Sequence, residues 1–289
     1  MNKMSEHRIN IQWFPGHMTK AKREMEEKLK LVDLVIELRD ARIVDASRNP
    51  MLDQLIKDKP RMIILSKKDK AEAEVTKAWI KALENETTKV IALDILHENL
   101  TNMIVTHVQA LMKAKIDRMI KRGIRPRAMR AMVVGVPNVG KSTFINRFTK
   151  RNMAQAANKP GVTRSLQWVK VNKDLELLDT PGVLWPKFED ELVGLRLAIT
   201  GAIRDEILPI EDVVLWAIDY LTQEKRELLE NRYGITCQAT PYETLLAIGT
   251  KRGYVRNGEV DEKRTIEMFL KELRDDKLGR ISWEKPNEM

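Results

Sequence analysis

The chain has 289 residues, and its 51 basic and 42 acidic side chains give a formal net charge of +9. The single cysteine, Cys237, excludes a disulfide framework and a multi-cysteine zinc site, and no apolar run approaches the roughly 18 residues that span a bilayer. The first residues lack the apolar core of a secretory signal, so we expect a cytoplasmic protein without a disulfide partner. The basic balance favours a polyanionic partner.

Short apolar runs alternate with longer helical patterns through the first two thirds of the chain, which predicts an α/β fold with a mostly parallel sheet and helices on both faces. The predicted strands are Asp33–Leu38, Arg61–Leu65, Lys89–Leu93 and Ala131–Val134, then a hairpin of Leu166–Val171 and Leu175–Leu178. Helical patterns cover residues 70–85, 98–122 and 141–149, and later 189–203, 211–230, 241–252 and 261–277. We therefore expect one domain at 1–185 and a smaller all-α domain at 186–289.

The strongest motif runs from Gly135 to Thr143 and fits the phosphate-loop pattern G-x-x-x-x-G-K-[ST]. Glycines let successive backbone N–H groups point at an anion, and the helix that follows adds its positive amino-terminal end. Lys141 would reach the β- and γ-phosphates, and Ser142 would ligate Mg²⁺. The nucleotide-binding residues predicted in this loop are Asn138, Val139, Gly140, Lys141, Ser142 and Thr143.

A second motif, Asp179–Gly182, follows an apolar run 38 residues after Lys141. An aspartate at the end of a strand can hold Mg²⁺ through water, and the N–H of Gly182 can contact a γ-phosphate. Between the two motifs, Thr163 would give Mg²⁺ a second hydroxyl ligand and take part in catalysis. A plain surface turn explains the segment around Thr163 almost as well.

The segment Ser66–Asp69, directly after a predicted strand, matches the N/T-K-x-D pattern with which GTPases read guanine, except that serine stands first. One carboxylate can accept both the N1–H and the exocyclic amine of guanine, and adenine offers no such pair. We therefore assign Asp69 to the edge of the base, Lys67 to its face and Ala92 to a backbone contact with the guanine oxygen. Taken alone, Ser66–Asp69 is also an ordinary charged turn.

These motifs stand in an unusual order. In most GTPases the guanine motif follows the phosphate loop, whereas here Asp69 precedes Gly135 by 66 residues. A circular permutation explains the order, since the termini of a compact domain often lie close together. The helical domain would then follow the nucleotide-sensing segment directly, so nucleotide state would reposition it.

The chain resembles the circularly permuted ribosome-assembly GTPases, most closely their bacterial ribosome biogenesis members. Besides the motifs above, the resemblance is carried by Trp13–Met18, Asp40–Arg42, Ser47–Pro50, Asn158–Thr163 and Leu184–Lys187. It implies a circularly permuted P-loop GTPase domain followed by a helical domain that binds RNA or the ribosome. It also implies hydrolysis of GTP with Mg²⁺, coupled to late maturation of the large ribosomal subunit through contact with ribosomal RNA.

Two features bear on how GTP would be hydrolysed. Many GTPases place a water-orienting glutamine where this chain has Val183 and Leu184, so another group must orient the water. The resemblance implies His17 for this role, and a purely structural or RNA-contacting His17 stays open. Asn138 corresponds to an asparagine that binds K⁺ in related GTPases, which makes K⁺ a second expected cofactor.

Ser66 departs from the family pattern, which usually has asparagine at this position. Serine is shorter and offers a hydroxyl instead of an amide, so we expect a contact that braces the base pocket to be lost. GTP binding would then be weaker, with the preference for guanine kept because Asp69 carries it.

A basic stretch from Lys113 to Arg130 contains eight Lys or Arg residues and one acid, Asp117. Such density suits contact with RNA phosphates, and an ordinary solvated helix face is the alternative. The predicted RNA-binding residues are Lys113, Lys115, Arg118, Lys121, Arg122, Arg125 and Arg127. Two other functions stay open: a GTPase that acts on tRNA or a membrane surface, and an RNA-binding module in which the nucleotide is only structural.

Overall fold

The computed structural model describes residues 23, 25–56, 59–148, 167–180 and 190–286. These residues form two compact units. The sheet unit is built around a sheet, and the helical unit comprises the described residues 190–280. The sheet unit also takes in Ile281 and the residues after it. The sequence placed everything beyond 185 in one domain, and the return of the C-terminal segment to the sheet unit corrects that assignment.

Six strands form the main sheet, in the order β3-β2-β1-β4-β6-β5. The strands are β1 (Leu34–Asp40), β2 (Arg61–Ser66), β3 (Thr88–Leu93), β4 (Met129–Gly135), β5 (Gln167–Lys170) and β6 (Leu175–Asp179). Every neighbouring pair is parallel except β5 and β6, which are antiparallel. The expected α/β fold with a mostly parallel sheet is therefore confirmed, as is the hairpin that closes it.

Helices of the sheet unit are α1 (Pro50–Ile56), α2 (Ala73–Leu83), α3 (Leu100–Leu111), α4 (Lys113–Lys121) and α5 (Lys141–Phe148). The single helix expected over 98–122 is wrong at Met112, where φ of −95° and ψ of 5° leave the α-helical region and separate α3 from α4. Helix α1 was not expected, because seven residues are too few to show a helical period.

The second unit is helical, with α6 (Glu191–Ile199), α7 (Ile210–Glu224), α8 (Arg226–Tyr233), α9 (Pro241–Lys251) and α10 (Glu262–Arg274). It also contains a small hairpin of β7 (Val255–Arg256) and β8 (Glu259–Val260), so the expectation of an all-α unit misses one element. Asn257 and Gly258 connect these strands with positive φ angles of 53° and 87°, as a tight hairpin turn requires. Within the part of the chain that the structure describes, no helix has the length and apolar character needed to cross a membrane.

Strand β1 lies at the centre of the sheet, paired with β2 on one side and β4 on the other. All seven of its residues are buried although side chains alternate along a strand, so both faces of the sheet are covered. Three of the buried residues are charged, Glu37, Arg39 and Asp40, and Arg39 Nε donates to Glu37 Oε1 at 2.7 Å. Glu37 Oε2 also lies 3.2 Å from a terminal nitrogen of Arg61 in β2, so the buried charges link two neighbouring strands.

Asp33, one residue before β1, anchors the basic stretch that leads into β4. Its side chain is 2% exposed, and it accepts hydrogen bonds from Lys115 Nζ, from both terminal nitrogens of Arg127 and from the N–H of Arg130. Burial alone would raise the pKa of Asp33, but these donors lower it below its ordinary value. The carboxylate therefore ties α4 and the start of β4 to the centre of the sheet.

Replacing Asp33 by Asn keeps its shape and removes the charge that Lys115 and Arg127 neutralise. We expect the free energy of unfolding to fall by about 1–3 kcal/mol near neutral pH. Because the pKa of Asp33 is lowered in the folded protein, its stabilisation is present above the unfolded pKa of about 3.9 and is lost as the pH falls through the folded pKa. Denaturant unfolding at several pH values measures this difference.

Asp117→Asn is the matched control, since Asp117 pairs with the exposed Lys113 on the surface of α4. Its unfolding free energy should change by less than about 0.5 kcal/mol. Equal losses in the two variants, or a loss for Asp33→Asn that does not shrink towards acid pH, would show that Asp33 is not an anchor.

Candidate nucleotide-binding site

The predicted motifs meet at one edge of the sheet. Ser66 lies opposite Asp40 on one side and Leu93 on the other, at the carboxyl ends of β2, β1 and β3. On the far side of β1, Gly135 lies opposite Leu38 at the end of β4, which also pairs with the end of β6. The guanine segment, the phosphate loop and the aspartate motif therefore begin side by side, as ligand sites do in open parallel sheets.

The phosphate loop joins β4 to α5 through backbone conformations that its sequence allows. Gly135 has a φ of 152°, and a Cβ there would lie 2.6 Å from the carbonyl oxygen of Leu38, so no larger residue fits. Asn138 adopts a left-handed φ of 56°, and Gly140 a φ of 104°. Helix α5 then begins at Lys141, with its free N–H groups facing the loop. This arrangement can bind an anionic phosphate chain.

Lys141 is buried, and its amino group lies within the phosphate loop. Its Nζ donates to the carbonyl oxygens of Gly135 and Val136, at 3.1 Å each. Burial lowers the pKa of Lys141 to about 8, and the nearby charge of Asp179 opposes the shift. The loop itself therefore holds a cationic side chain in place for phosphate contact.

Asp179 ends β6 and fits the role of a metal-holding carboxylate. Its Oδ1 is buried and accepts no hydrogen bond from the residues that the structure describes. Burial raises the pKa of Asp179, while the charge of Lys141 and the N–H of Thr180 lower it. A buried carboxylate oxygen without a donor is stabilised by a cation, and oxygen ligands are those that Mg²⁺ prefers. Asp179 and the half-buried Ser142 at the start of α5 are thus suited to Mg²⁺.

The structure corrects the expectation that serine at position 66 loses the contact that braces the base pocket. Its hydroxyl lies 2.7 Å from the carbonyl oxygen of Val139 in the phosphate loop and 3.0 Å from that of Arg39 in β1. The hydroxyl has one proton, which goes to one of these acceptors or is shared between them. The serine is fully buried and joins the end of β2 to the phosphate loop. Serine at position 66 therefore keeps a contact between the base side of the site and the phosphate loop.

Lys67 is held by a charge cluster that the sequence analysis did not assign. Its Nζ lies 2.9 Å from Oδ2 of Asp40, and Arg42 donates to both oxygens of the same carboxylate. Burial alone would raise the pKa of Asp40, but Arg42 and Lys67 hold it well below its usual range. The only sequence signal was the short Asp40–Arg42 motif at the end of a predicted strand.

The remaining residues predicted to bind the base lie beside this cluster. Asp69 is exposed in a single 3₁₀ turn, Lys68–Lys70, that directly follows Lys67. Ala92 is half-buried in β3, opposite Leu65 of β2. Asp69 follows the end of β2 in the chain, and Ala92 lies beside it in β3. Both residues are therefore close to Ser66, which contacts the phosphate loop.

Charged contacts link the segment after β3 to both motifs. Lys68 forms an ion pair with Glu98, and the carbonyl oxygen of Glu98 accepts from Arg147 of α5 at 3.0 Å. The side chain of Ile95 lies 3.4 Å from the position that a Cβ on Gly140 would occupy. The base side and the phosphate side of the site are therefore connected a second time, independently of Ser66.

Three predicted site residues lie outside the described residues, namely His17, Thr163 and Gly182. Their assigned roles stay predictions. Among the described residues no cluster of three or more His, Cys, Asp or Glu side chains could hold a metal ion. Mg²⁺ at this site would therefore depend on hydroxyl and phosphate oxygens in addition to Asp179.

The basic stretch is divided between structural and unengaged side chains. Lys115 and Arg127 bind the buried Asp33, and Lys113 pairs with Asp117. Arg118 donates to the carbonyl oxygen of Ala114 in its own helix. The other predicted RNA-binding residues, Lys121, Arg122 and Arg125, are exposed and have no carboxylate partner in the described part of the chain.

Comparison with known proteins places this site in a family. The family model described as "50S ribosome-binding GTPase" matches residues 130–246. The match begins in β4, so it does not include the guanine segment, Ser66–Asp69, which comes earlier in the chain. Ribosome biogenesis GTPase A of Bacillus licheniformis is 49% identical over 283 residues, covering 96% of this chain and 99% of that protein. The protein of the same name from Bacillus pumilus is 48% identical over 280 residues, again covering 96% and 99%.

Two solved structures are similar over most of the chain. A GDP-bound YlqF is 26% identical with a TM-score of 0.65, covering 92% of this chain and 100% of that chain. The GNP-bound YlqF from T. maritima is 26% identical with a TM-score of 0.62, covering 92% and 98%. The likeness agrees with a circularly permuted GTPase fold in which both nucleotide motifs belong to one sheet.

Ser66→Ala tests whether the serine braces the phosphate loop. The substitution leaves the buried carbonyl oxygen of Val139 without its donor, so we expect GDP to bind about tenfold more weakly. Titration with a fluorescent GDP analogue measures the affinity. The control is Thr87→Ala, which removes an exposed hydroxyl from the same unit and should leave GDP affinity unchanged. Equal GDP affinities for wild type and Ser66→Ala would remove the bracing role.

Proposed function

The chain belongs to the ribosome biogenesis GTPase A family and is a GTPase, and we propose that it acts as an assembly factor in a late maturation step of the large ribosomal subunit. The observation that carries the proposal is the meeting of the guanine segment, the phosphate loop and Asp179 at one sheet edge. Relatives that match nearly the whole chain are named for ribosome biogenesis. A cytoplasmic location is part of the same proposal.

The chain's own residues would hold the triphosphate in a fixed position. The N–H groups of the phosphate loop and the start of α5 surround the phosphates, and Lys141 adds a positive charge to their oxygens. GTPases of this kind generally use Mg²⁺, which Asp179, Ser142 and Thr163 would hold. Bound Mg²⁺ supplies neutralisation of the charge that develops on the leaving phosphate. Gly182 would contact the γ-phosphate through its N–H.

Selection of guanine would follow from Asp69. Its exposed carboxylate accepts the two donors on the edge of guanine, while Lys67, held by Asp40, lies along the face of the base. Ala92 would contribute a backbone contact to the guanine oxygen. An adenine base offers the carboxylate no such pair of donors, so GTP is preferred over ATP.

Val183 and Leu184 cannot hydrogen-bond a water through their side chains, and the family resemblance implies His17 as the residue that orients the attacking water. Asn138, at the exposed tip of the phosphate loop, is the proposed ligand for K⁺. A monovalent cation at this point would offset developing negative charge, as an arginine finger does in other GTPases. Slow hydrolysis by the isolated protein is the expected consequence.

Contact with ribosomal RNA is assigned to the exposed part of the basic stretch. Lys121 is the last residue of α4 and Arg122 and Arg125 follow it; all three are exposed and available for phosphate contacts. Lys115 and Arg127 already neutralise Asp33, so we expect them to contribute less to RNA affinity than their charge suggests. The helical unit, residues 190–280, is the second part proposed to bind the ribosome.

The test compares binding to purified large ribosomal subunits before and after removal of these charges. In the triple variant Lys121→Ala, Arg122→Ala, Arg125→Ala, we expect weaker co-sedimentation and a slope of log affinity against log salt that is lower by about 2–3. The control removes three exposed lysines elsewhere on the sheet unit, Lys77, Lys81 and Lys173. Circular dichroism confirms that both triple variants are folded.

Each outcome separates one function from another. Loss of subunit binding in the first triple variant alone supports the proposal. Equal binding by both triple variants and wild type would remove the basic stretch from the interface. Competition by tRNA or anionic vesicles at the same concentration as large subunits would instead favour a GTPase that acts on another polyanion.

A further inference from the structure

Residues 281–284, close to the end of the described chain, are buried in the sheet unit. After Arg280 the chain leaves the helical unit, and residues 281–286 belong to the sheet unit. Each residue of the C-terminal strap, defined here as Ile281–Glu284, is at most 4% exposed. The final residues of a domain are usually poorly ordered unless other groups hold them. The partners of the strap are therefore informative.

One set of contacts joins the strap to the guanine loop, defined here as residues 67–72. The N–H of Ile281 donates to the carbonyl oxygen of Lys70 at 3.1 Å. The N–H of Glu72 donates to Oγ of Ser282 at 3.1 Å, and the N–H of Ser282 donates to Oε2 of Glu72 at 3.3 Å. The end of the guanine loop is thereby held at two consecutive strap residues.

A second set of contacts joins the strap to the turn that follows β1. The N–H of Trp283 donates to the carbonyl oxygen of Arg42 at 2.8 Å. The buried carboxylate of Glu284 accepts from the N–H groups of Asp45 and Ala46, the latter at 3.2–3.3 Å. A carboxylate that accepts backbone N–H groups makes stronger hydrogen bonds than a neutral group does.

The two segments that the strap holds are also joined through Asp40. Arg42, in the turn, donates to both of its carboxylate oxygens, and Lys67, in the guanine loop, pairs with one of them. The strap joins the same two segments a second time, because its N–H groups donate to the backbone carbonyl oxygens of Arg42 and Lys70. Asp69 lies between two fixed points, Lys67 and Lys70.

We propose that Ile281–Glu284 are positioning residues for guanine recognition, which fix the guanine loop so that the carboxylate of Asp69 meets the base. The proposal rests on the assignment of Asp69 to guanine made above. Asp69 itself is exposed, and within the described residues no side chain holds its carboxylate. Its position therefore depends on the anchors of the loop, and the strap provides those at Lys70 and Glu72.

Coupling between the base and the strap is reciprocal. If the strap fixes the guanine loop for the base, a bound base must stabilise the strap in turn. GDP should therefore slow hydrogen exchange at the N–H groups of Ile281 and Trp283, which donate to the two segments. This measurement uses the unmodified full-length protein.

The direct test compares the affinities of GTP and ITP, which lacks the exocyclic amine that Asp69 would bind. In full-length Glu284→Gln and Ser282→Ala, we expect the preference for GTP over ITP to fall about tenfold, because one hydrogen bond to a charged group is misplaced. Glu86→Gln, an exposed residue of the same unit, is the matched control and should keep the wild-type ratio. A purely structural role of the strap would weaken GTP and ITP by the same factor.

Asp69→Asn separates the two levels of the proposal. It should transfer preference from guanine to xanthine nucleotides, in which a C2 carbonyl oxygen, an acceptor for the asparagine amide, replaces the exocyclic amine of guanine. If Asp69→Asn keeps the preference for guanine, the base assignment itself is wrong. If it shifts while Glu284→Gln and Ser282→Ala keep the wild-type ratio, the strap does not position the loop. Should Glu284→Gln fail to fold, Ser282→Ala and the exchange measurement decide: an unchanged ratio with exchange insensitive to GDP overturns the proposal.

Discussion

The hydrogen bond from Ser66 to the carbonyl oxygen of Val139 joins the two halves of the nucleotide site. It is possible only because β1, β2 and β4 are parallel neighbours, which brings their carboxyl ends to one edge. The base motif and the phosphate loop are far apart in sequence and occur in the reverse of the usual order. Strand order in the sheet, rather than order in the chain, determines which side chains meet.

Much of this arrangement follows from local sequence patterns. Each of β1, β2 and β3 contains a short run of apolar residues, which explains why these strands were predicted to within two residues. The phosphate loop could be recognised because its chemistry requires glycine at fixed positions: a Cβ on Gly135 would lie only 2.6 Å from the carbonyl oxygen of Leu38. These features depend on neighbours in sequence, and so the sequence displays them.

Features that depend on distant partners could not be predicted. The hydroxyl of Ser66 reaches the phosphate loop because of the strand register, which no property of serine reveals. Lys115 and Arg127 appeared to be free RNA ligands, yet they neutralise Asp33, which is 82 and 94 residues away in sequence. The sequence of the strap shows only a short apolar pattern. Its contact with the guanine loop joins Ser282 to Glu72, which is 210 residues away in sequence, so no local pattern predicts it.

Among the described residues, the chain passes from the sheet unit to the helical unit between Thr180 and Asp190 and returns to the sheet unit after Arg280. The first passage follows the Asp179 motif, and the second leads into the strap that holds the guanine loop. Both connections therefore begin or end at segments of the nucleotide site. In a circularly permuted GTPase this property follows from connectivity, since the permutation places the Asp179 motif directly before the helical unit in the chain.

The central claim is that this GTPase serves the large ribosomal subunit, and GTP hydrolysis measured with purified subunits tests it most directly. The rate should be slow for the protein alone and rise at least about tenfold with large subunits, since completing a GTPase site accelerates hydrolysis by orders of magnitude. Small subunits should leave the rate unchanged. The same slow rate with large subunits, small subunits and neither would contradict the account.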